Sequence, residues 1–120
     1  MKTLYKGANY MDKDELYEKK EILYRKIYKL EEYKSEINKV FDMHEEMILN
    51  DISHYERRLN EASGKISVEL MGELLQKTRE RKVSNEDARE KSISEIERIY
   101  QETEEEIRSI DEAIGEKYDE

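Results

Sequence analysis

The two histidines and the acidic residues near them are the side chains best suited to bind a metal. The segment His44–Ile48 begins like the H-E-x-x-H motif of zinc proteases, but Ile48 stands where the second histidine ligand is needed. Asp51 and His54 have the i, i+3 spacing of a carboxylate–histidine pair, whereas a di-iron bundle needs two Glu-x-x-His motifs and further carboxylates. With no cysteine in the chain, thiolate ligands are also missing. We therefore expect no metal and no cofactor.

Other kinds of chemistry are equally poorly supported. Carboxylates occur at 31 of 120 positions, so a pair of them carries no information about acid–base catalysis. There is no glycine-rich phosphate loop and no arrangement of Ser, His and Asp that can be argued as a catalytic triad. The net charge of −9 disfavours a nucleic-acid partner, which would require clustered Lys and Arg. We expect a protein that is not an enzyme.

Composition then indicates the elements that carry these residues. The chain has no proline, and 44 % of its residues are charged, which is typical of long, uninterrupted helices. No stretch approaches the roughly 20 apolar residues that span a bilayer, and the segment Met1–Gly7 lacks the apolar core of a secretory signal. We therefore expect a cytoplasmic protein that does not insert into membranes. If it is secreted together with a partner, we expect a route that needs no cleaved leader.

Apolar residues recur at intervals of three, four or seven and predict a first helix over about 12–62, after a flexible arm at 1–11. Asp12 and Asp14 suit its start. Its apolar seam comprises Leu16, Leu23, Ile27, Leu30, Ile37, Phe41, Ile48, Ile52, Tyr55, Leu59 and Ala62.

A turn near Ser63–Lys65, with Gly64 at its centre, predicts the end of the first helix. The second helix is expected over about 66–115, with a seam through Ile93, Ile96, Tyr100, Thr103, Ile107, Ile110 and Ile114. Residues 76–92 form a polar waist, which is either helical or broken near Ser84; we expect one helix because no proline interrupts it. Gly72 is a rival position for the turn.

The expected fold is therefore all-α, an antiparallel two-helix hairpin over 12–120. Charge supports this pairing. Residues 1–41 carry ten basic and eight acidic side chains, a net of +2, whereas residues 93–120 carry three basic and eleven acidic ones, a net of −8. An antiparallel hairpin brings these two ends of the chain together.

The first helix carries more apolar surface than one partner helix can cover, which predicts a binding partner. Tyrosines flank the seam, and tyrosine is a common anchor at protein interfaces. A second apolar group follows around Phe41–Leu49. The alternative is that these side chains pack only against the core of the hairpin itself and bind no partner. The predicted interface comprises Leu16, Tyr17, Leu23, Tyr24, Ile27, Tyr28, Tyr33, Phe41, Met47 and Ile48.

A small, acidic, cysteine-free hairpin with a Gly turn resembles the helical-hairpin proteins of type VII (ESX-like) secretion in Gram-positive bacteria. Those proteins carry Trp-x-Gly in the turn, but this chain has no tryptophan and reads Ser63-Gly64-Lys65. It is more similar to the accessory targeting factors encoded beside LXG-domain toxins, over roughly residues 12–118, with a Glu/Lys/Tyr-rich first helix and an acidic second helix ending in Ile110–Ile114 and Tyr118. The resemblance implies binding to a toxin's helical LXG domain, together with a second small hairpin protein.

That resemblance also implies an export signal of the form aromatic-x-x-x-acid, carried either by this chain or by its partner. Tyr100 and Glu104 fit the pattern in the second helix, although Tyr100 also lies on the seam. Two further functions stay open: a homodimeric coiled-coil protein that forms a four-helix bundle, and an acidic inhibitor or immunity protein.

Overall fold

A computed structural model describes residues 12–118. It consists of two long helices, α1 (Lys13–Glu61) and α2 (Lys65–Tyr118), which pack against each other as an antiparallel hairpin. The predicted all-α hairpin is therefore confirmed, and at the turn both helix bounds lie within one residue of the prediction. The predicted arm at 1–11 lies outside the described residues.

Asp12 caps the start of α1. Its side-chain Oδ1 accepts a hydrogen bond from the backbone N–H of Glu15 at 2.8 Å, and its carbonyl accepts one from Leu16 at 3.0 Å. The bond to the Asp12 side chain satisfies the N–H of Glu15, which has no acceptor within the helix. Asp14 and Glu15 in the first turn also place negative charge at the positive end of the helix dipole.

The connection between the helices depends on Gly64, whose φ of 89° is a left-handed conformation that a residue with a Cβ rarely adopts. Its carbonyl accepts the first hydrogen bond of α2, from the N–H of Val68 at 3.2 Å. Gly72 lies inside the continuous α2, so it is not the turn.

The described residues fall into two units, 12–34 with 94–118 and 35–93, and each is described on its own. The first unit contains a hydrophobic core whose side chains, apart from Ala113, belong to the two predicted seams. Thr103 on the α2 seam is buried, and its hydroxyl donates to the carbonyl of Ile99 at 2.7 Å, so its polar group is satisfied. The core comprises Leu16, Leu23, Ile107, Ile110, Ala113 and Ile114, with Ile27 packed against them.

In the second unit, the polar waist of α2 is helical throughout, as the sequence favoured. Hydrogen bonds between the helices add to the apolar packing there. Arg89 donates from Nε and Nη2 to Oδ1 of Asn38 at 3.2 and 3.0 Å, and its Nη1 lies 2.7 Å from Oδ1 of Asp42. Asn85 donates to the carbonyl of Phe41 at 3.5 Å. The two helices therefore stay paired across the waist through polar side chains.

Candidate partner-binding surfaces

The tyrosines of α1 in the first unit are exposed: Tyr17, Tyr24, Tyr28 and Tyr33 keep between 46 and 69 % of their surface accessible. Each helical residue turns by about 100°. Tyr17, Tyr24 and Tyr28 therefore share one side of the buried seam, here called the tyrosine flank. Tyr33 lies on the opposite side, together with the exposed Ile22. Residues 17–33 thus present two narrow apolar surfaces.

The other residues of the predicted interface mostly pack within the hairpin itself. Leu16 and Leu23 are buried in the first core, and Ile27 is packed against it. In the second unit, Ile48 is buried and Phe41 is half-buried. Of the non-tyrosine members of the predicted set, only Met47 is exposed. The accessible part of that set is therefore the tyrosines and Met47, and their role in binding stays a prediction.

The second unit exposes apolar side chains on more than one side of α1. Val40, Met43, Met47 and Leu49 are all largely accessible. Met47 also lines a shallow groove with His44, Ile48, Arg81, Ser84 and Asn85. Methionine is flexible and polarizable, so this surface is suited to an adaptable contact.

The sequence interpretation missed an apolar surface at the start of α2. Ile66 is 82 % exposed, and Leu70, one turn later on the same side of the helix, is also accessible. The signal was present in the spacing. Ile66 precedes the buried Leu75 by nine residues, which at about 100° per residue places the two on opposite faces of the helix.

A groove runs between α1 and α2 in the first unit, and we refer to it as the interhelical groove. It consists of two adjoining depressions that share Glu104. Apolar side chains from both helices line it, among them Leu30 and Ile107, which are buried. Its lining residues are Tyr24, Ile27, Leu30, Glu31, Lys34, Ile96, Glu97, Tyr100, Gln101, Glu104, Ile107, Arg108 and Asp111.

Two ion pairs link α1 and α2 in this unit. Lys20 Nζ lies 2.5 Å from Asp111 Oδ1, and Lys34 Nζ lies 3.0 Å from Glu97 Oε1. The hydrogen bond to Asp111 raises the pKa of Lys20, against a smaller opposing effect of burial. Lys20 also lies 5.9 Å from the centre of the Tyr24 ring. These pairs join the basic first helix to the acidic second one, each contributing a few tenths of a kcal/mol because they are partly exposed.

The predicted export signal lies on this groove. Tyr100 is half-buried in its lining, and Glu104, one helical turn later, is exposed on the same side of α2. Tyr100 therefore takes part in the packing of the hairpin. Export through these two residues stays a prediction.

Several other charged side chains of α2 pair with each other on its surface. Arg98 binds Glu95 and Glu102, and its hydrogen bond lowers the pKa of Glu95 while the two carboxylates raise that of Arg98. Within residues 12–118, no cluster of three or more His, Cys, Asp or Glu side chains could hold a metal ion. The searched helices also contain no segment long and apolar enough to cross a membrane.

Comparison of the chain with protein-family models, with curated proteins and with solved structures gives no match.

Proposed function

We propose that this protein is a small helical adaptor, a targeting chaperone that binds the helical N-terminal domain of an LXG toxin and promotes its export by type VII secretion. The observation that carries the proposal is the row of exposed tyrosines on α1, beside a hairpin core that is already complete without them. Large apolar side chains left accessible on a long helix are typical of a surface that another protein covers.

Helix-on-helix association is the mechanism that suits this surface. The tyrosine flank follows one side of a long helix, so a second helix can lie along it and bury several rings at once. Tyrosine loses little conformational entropy on burial and keeps its hydroxyl accessible at the edge of a contact. The type of partner comes from the resemblance to LXG targeting factors. On the same basis, Tyr100 and Glu104 are proposed as the export signal, and the protein is proposed to have no catalytic activity.

Co-purification tests this proposal. The chain would be co-expressed with the LXG domain of a toxin encoded beside it, and separately with the C-terminal domain of the same toxin. We expect a stable complex with the LXG domain only. Replacing Tyr17, Tyr24 and Tyr28 together by serine should abolish it, whereas the control Val83→Ser, at an exposed apolar side chain in the other unit, should not. Failure of the native chain to retain the LXG domain would refute the proposal.

Self-association is the second candidate function, and the exposed Val40, Met43 and Met47 of the second unit favour it. Two copies that cover these side chains would form a four-helix bundle. A homodimer whose mass does not change when the LXG domain is added would support this alternative.

A further inference from the structure

The ion pairs between α1 and α2 follow a heptad repeat that is interrupted at its centre. Lys20 pairs with Asp111, and Lys34 pairs with Glu97. Ile27 lies seven residues from each lysine, and Glu104 lies seven residues from each of the two acids. Ile27 and Glu104 line the same depression of the interhelical groove. At the middle of the repeat, the apolar Ile27 of α1 therefore lies in the same depression as the carboxylate of Glu104. In the heptads on either side, a lysine of α1 pairs with the acid of α2.

Glu104 consequently has no ion-pair partner among the described residues. The nearest basic residue on its own helix face, Arg108, pairs instead with Glu105 at 2.7 Å. Glu31, across the groove on α1, also has no ion pair within the described part of the chain. The groove lining carries four acidic and two basic side chains, and both bases are paired with other acids, Lys34 with Glu97 and Arg108 with Glu105. Among the described residues, Glu104 and Glu31 are thus left without an ion pair, so the groove has a net preference for positive charge.

From this arrangement we infer that the interhelical groove binds an amphipathic helix whose apolar side chains pack on the half-buried Ile27, Ile96 and Tyr100 and whose Lys or Arg reaches Glu104 and Glu31. This inference rests on the proposed function and specifies the partner chemistry at the predicted signal residues. A third helix can pack in the groove between two antiparallel helices. Its Lys or Arg would pair with Glu104, in place of the lysine that the repeat lacks at Ile27.

Charge selects a basic helix of another protein over a second copy of this chain. The chain carries a net charge of −9, so two copies repel each other. A helix with lysine or arginine beside its apolar stripe is attracted to the groove and places its charge at the carboxylates. Acidic helices are disfavoured by the same two residues, which gives the groove specificity between partners of equal hydrophobicity.

Calorimetric titrations of the full chain test the inference with two probes: the LXG domain used above, and a synthetic amphipathic helix with leucine in its apolar stripe and lysine beside it. A second peptide with glutamate in place of lysine is the control. The chain variants are Glu104→Lys and Glu104→Gln, with Glu18→Lys as a matched control. Glu18 is exposed on α1 outside the groove, and its substitution changes the net charge by the same amount as Glu104→Lys.

We expect Glu104→Lys to weaken binding of the LXG domain about tenfold and Glu104→Gln to weaken it by a smaller factor, with Glu18→Lys within about twofold of the native chain. The lysine peptide should follow the same order, and the glutamate peptide should not bind. If the LXG domain binds but Glu104→Lys and Glu18→Lys have equal effects, the inference is overturned while the proposed function stands.

If the LXG domain does not bind the native chain, the proposed function fails, and the peptides alone decide the inference. Glu104-dependent binding of the lysine peptide would support the groove as a basic-helix site, and no binding, or equal binding of both peptides, would overturn it. A homodimer that dissociates on Glu104→Lys would identify a second copy as the occupant and would also overturn the inference.

Discussion

Adjacent residues on α1 give a direct test of which face of the helix is buried. Leu23 is 3 % exposed within the first core, whereas its neighbour Ile22 is 48 % exposed and takes no part in that core. Substitution of a buried leucine by alanine costs about 2–5 kcal/mol, and a core only two helices thick can relax around the missing atoms. We therefore expect Leu23→Ala to lower the free energy of unfolding by about 2–3 kcal/mol.

Ile22→Ala should have a much smaller effect. Burying an isoleucine fully is worth roughly 2 kcal/mol, so a half-exposed one loses about 1 kcal/mol, of which alanine regains about 0.4 kcal/mol through its higher helix propensity. The net loss is about 0.6 kcal/mol.

Urea unfolding followed by far-UV circular dichroism, at one fixed protein concentration, would measure both variants. Equal losses for the two variants, or a larger loss for Ile22→Ala, would refute the assignment of the buried face.

Three further predictions concern the waist, the turn and an ion pair. Arg89→Ala and Asn38→Ala should each destabilise the hairpin, with a coupling energy of about 1 kcal/mol in a double-mutant cycle measured by urea unfolding; additive effects would exclude their hydrogen bonds as a stabilising contact. In thermal denaturation, Gly64→Ala should lower the melting temperature because its φ is 89°. Gly72→Ala should raise it, since a Cβ there meets nothing within 4 Å beyond its own chain neighbours and helix backbone, and alanine favours a helix. The pKa of Lys20 is raised above 10.5 in the folded state, so its ion pair stabilises the fold below that pH and is lost as the pH rises through the folded value. The stability difference between the native chain and Lys20→Met should therefore narrow at alkaline pH in urea titrations, and a difference that widens there would contradict this sign.

The apolar spacing of the sequence was sufficient to predict the hairpin and most of its core. Leu16, Leu23, Ile107 and Ile110 recur at helical intervals, and this periodicity alone places them on one face of each helix. Gly64 was predictable for a local reason, because a turn between two helices needs a left-handed residue.

Contacts that depend on the register between α1 and α2 could not be predicted in the same way. The bonds from Arg89 to Asn38 join residues 51 positions apart, and a shift of one residue along either helix would break them. The sequence likewise could not show that Glu104 lacks a lysine partner on α1, because this follows from the packing that places Ile27 in the same depression. Periodicity predicts which face of a helix is buried. Predicting these pairs also requires the register, that is, the position of one helix along the other.

The side of α1 on which each tyrosine lies could be predicted from its spacing in the sequence, at about 100° per residue. Tyr17, Tyr24 and Tyr28 are spaced by seven and four, which places them on one side of the seam. Tyr33 follows the exposed Ile22 by eleven residues and lies on its side of the helix, whereas the five residues between Tyr28 and Tyr33 place these two on different sides. What occupies these surfaces is a property of a second molecule, so it is tested by binding.

Mass measurement by size-exclusion chromatography with light scattering tests the central claim most directly, using the chain alone and mixed with the LXG domain. If the exposed apolar surface of the hairpin serves a partner, the chain alone should be weakly or variably associated, and the mixture should give one complex of defined stoichiometry. A sharp homodimer with the same mass in the presence and absence of the LXG domain would contradict the account.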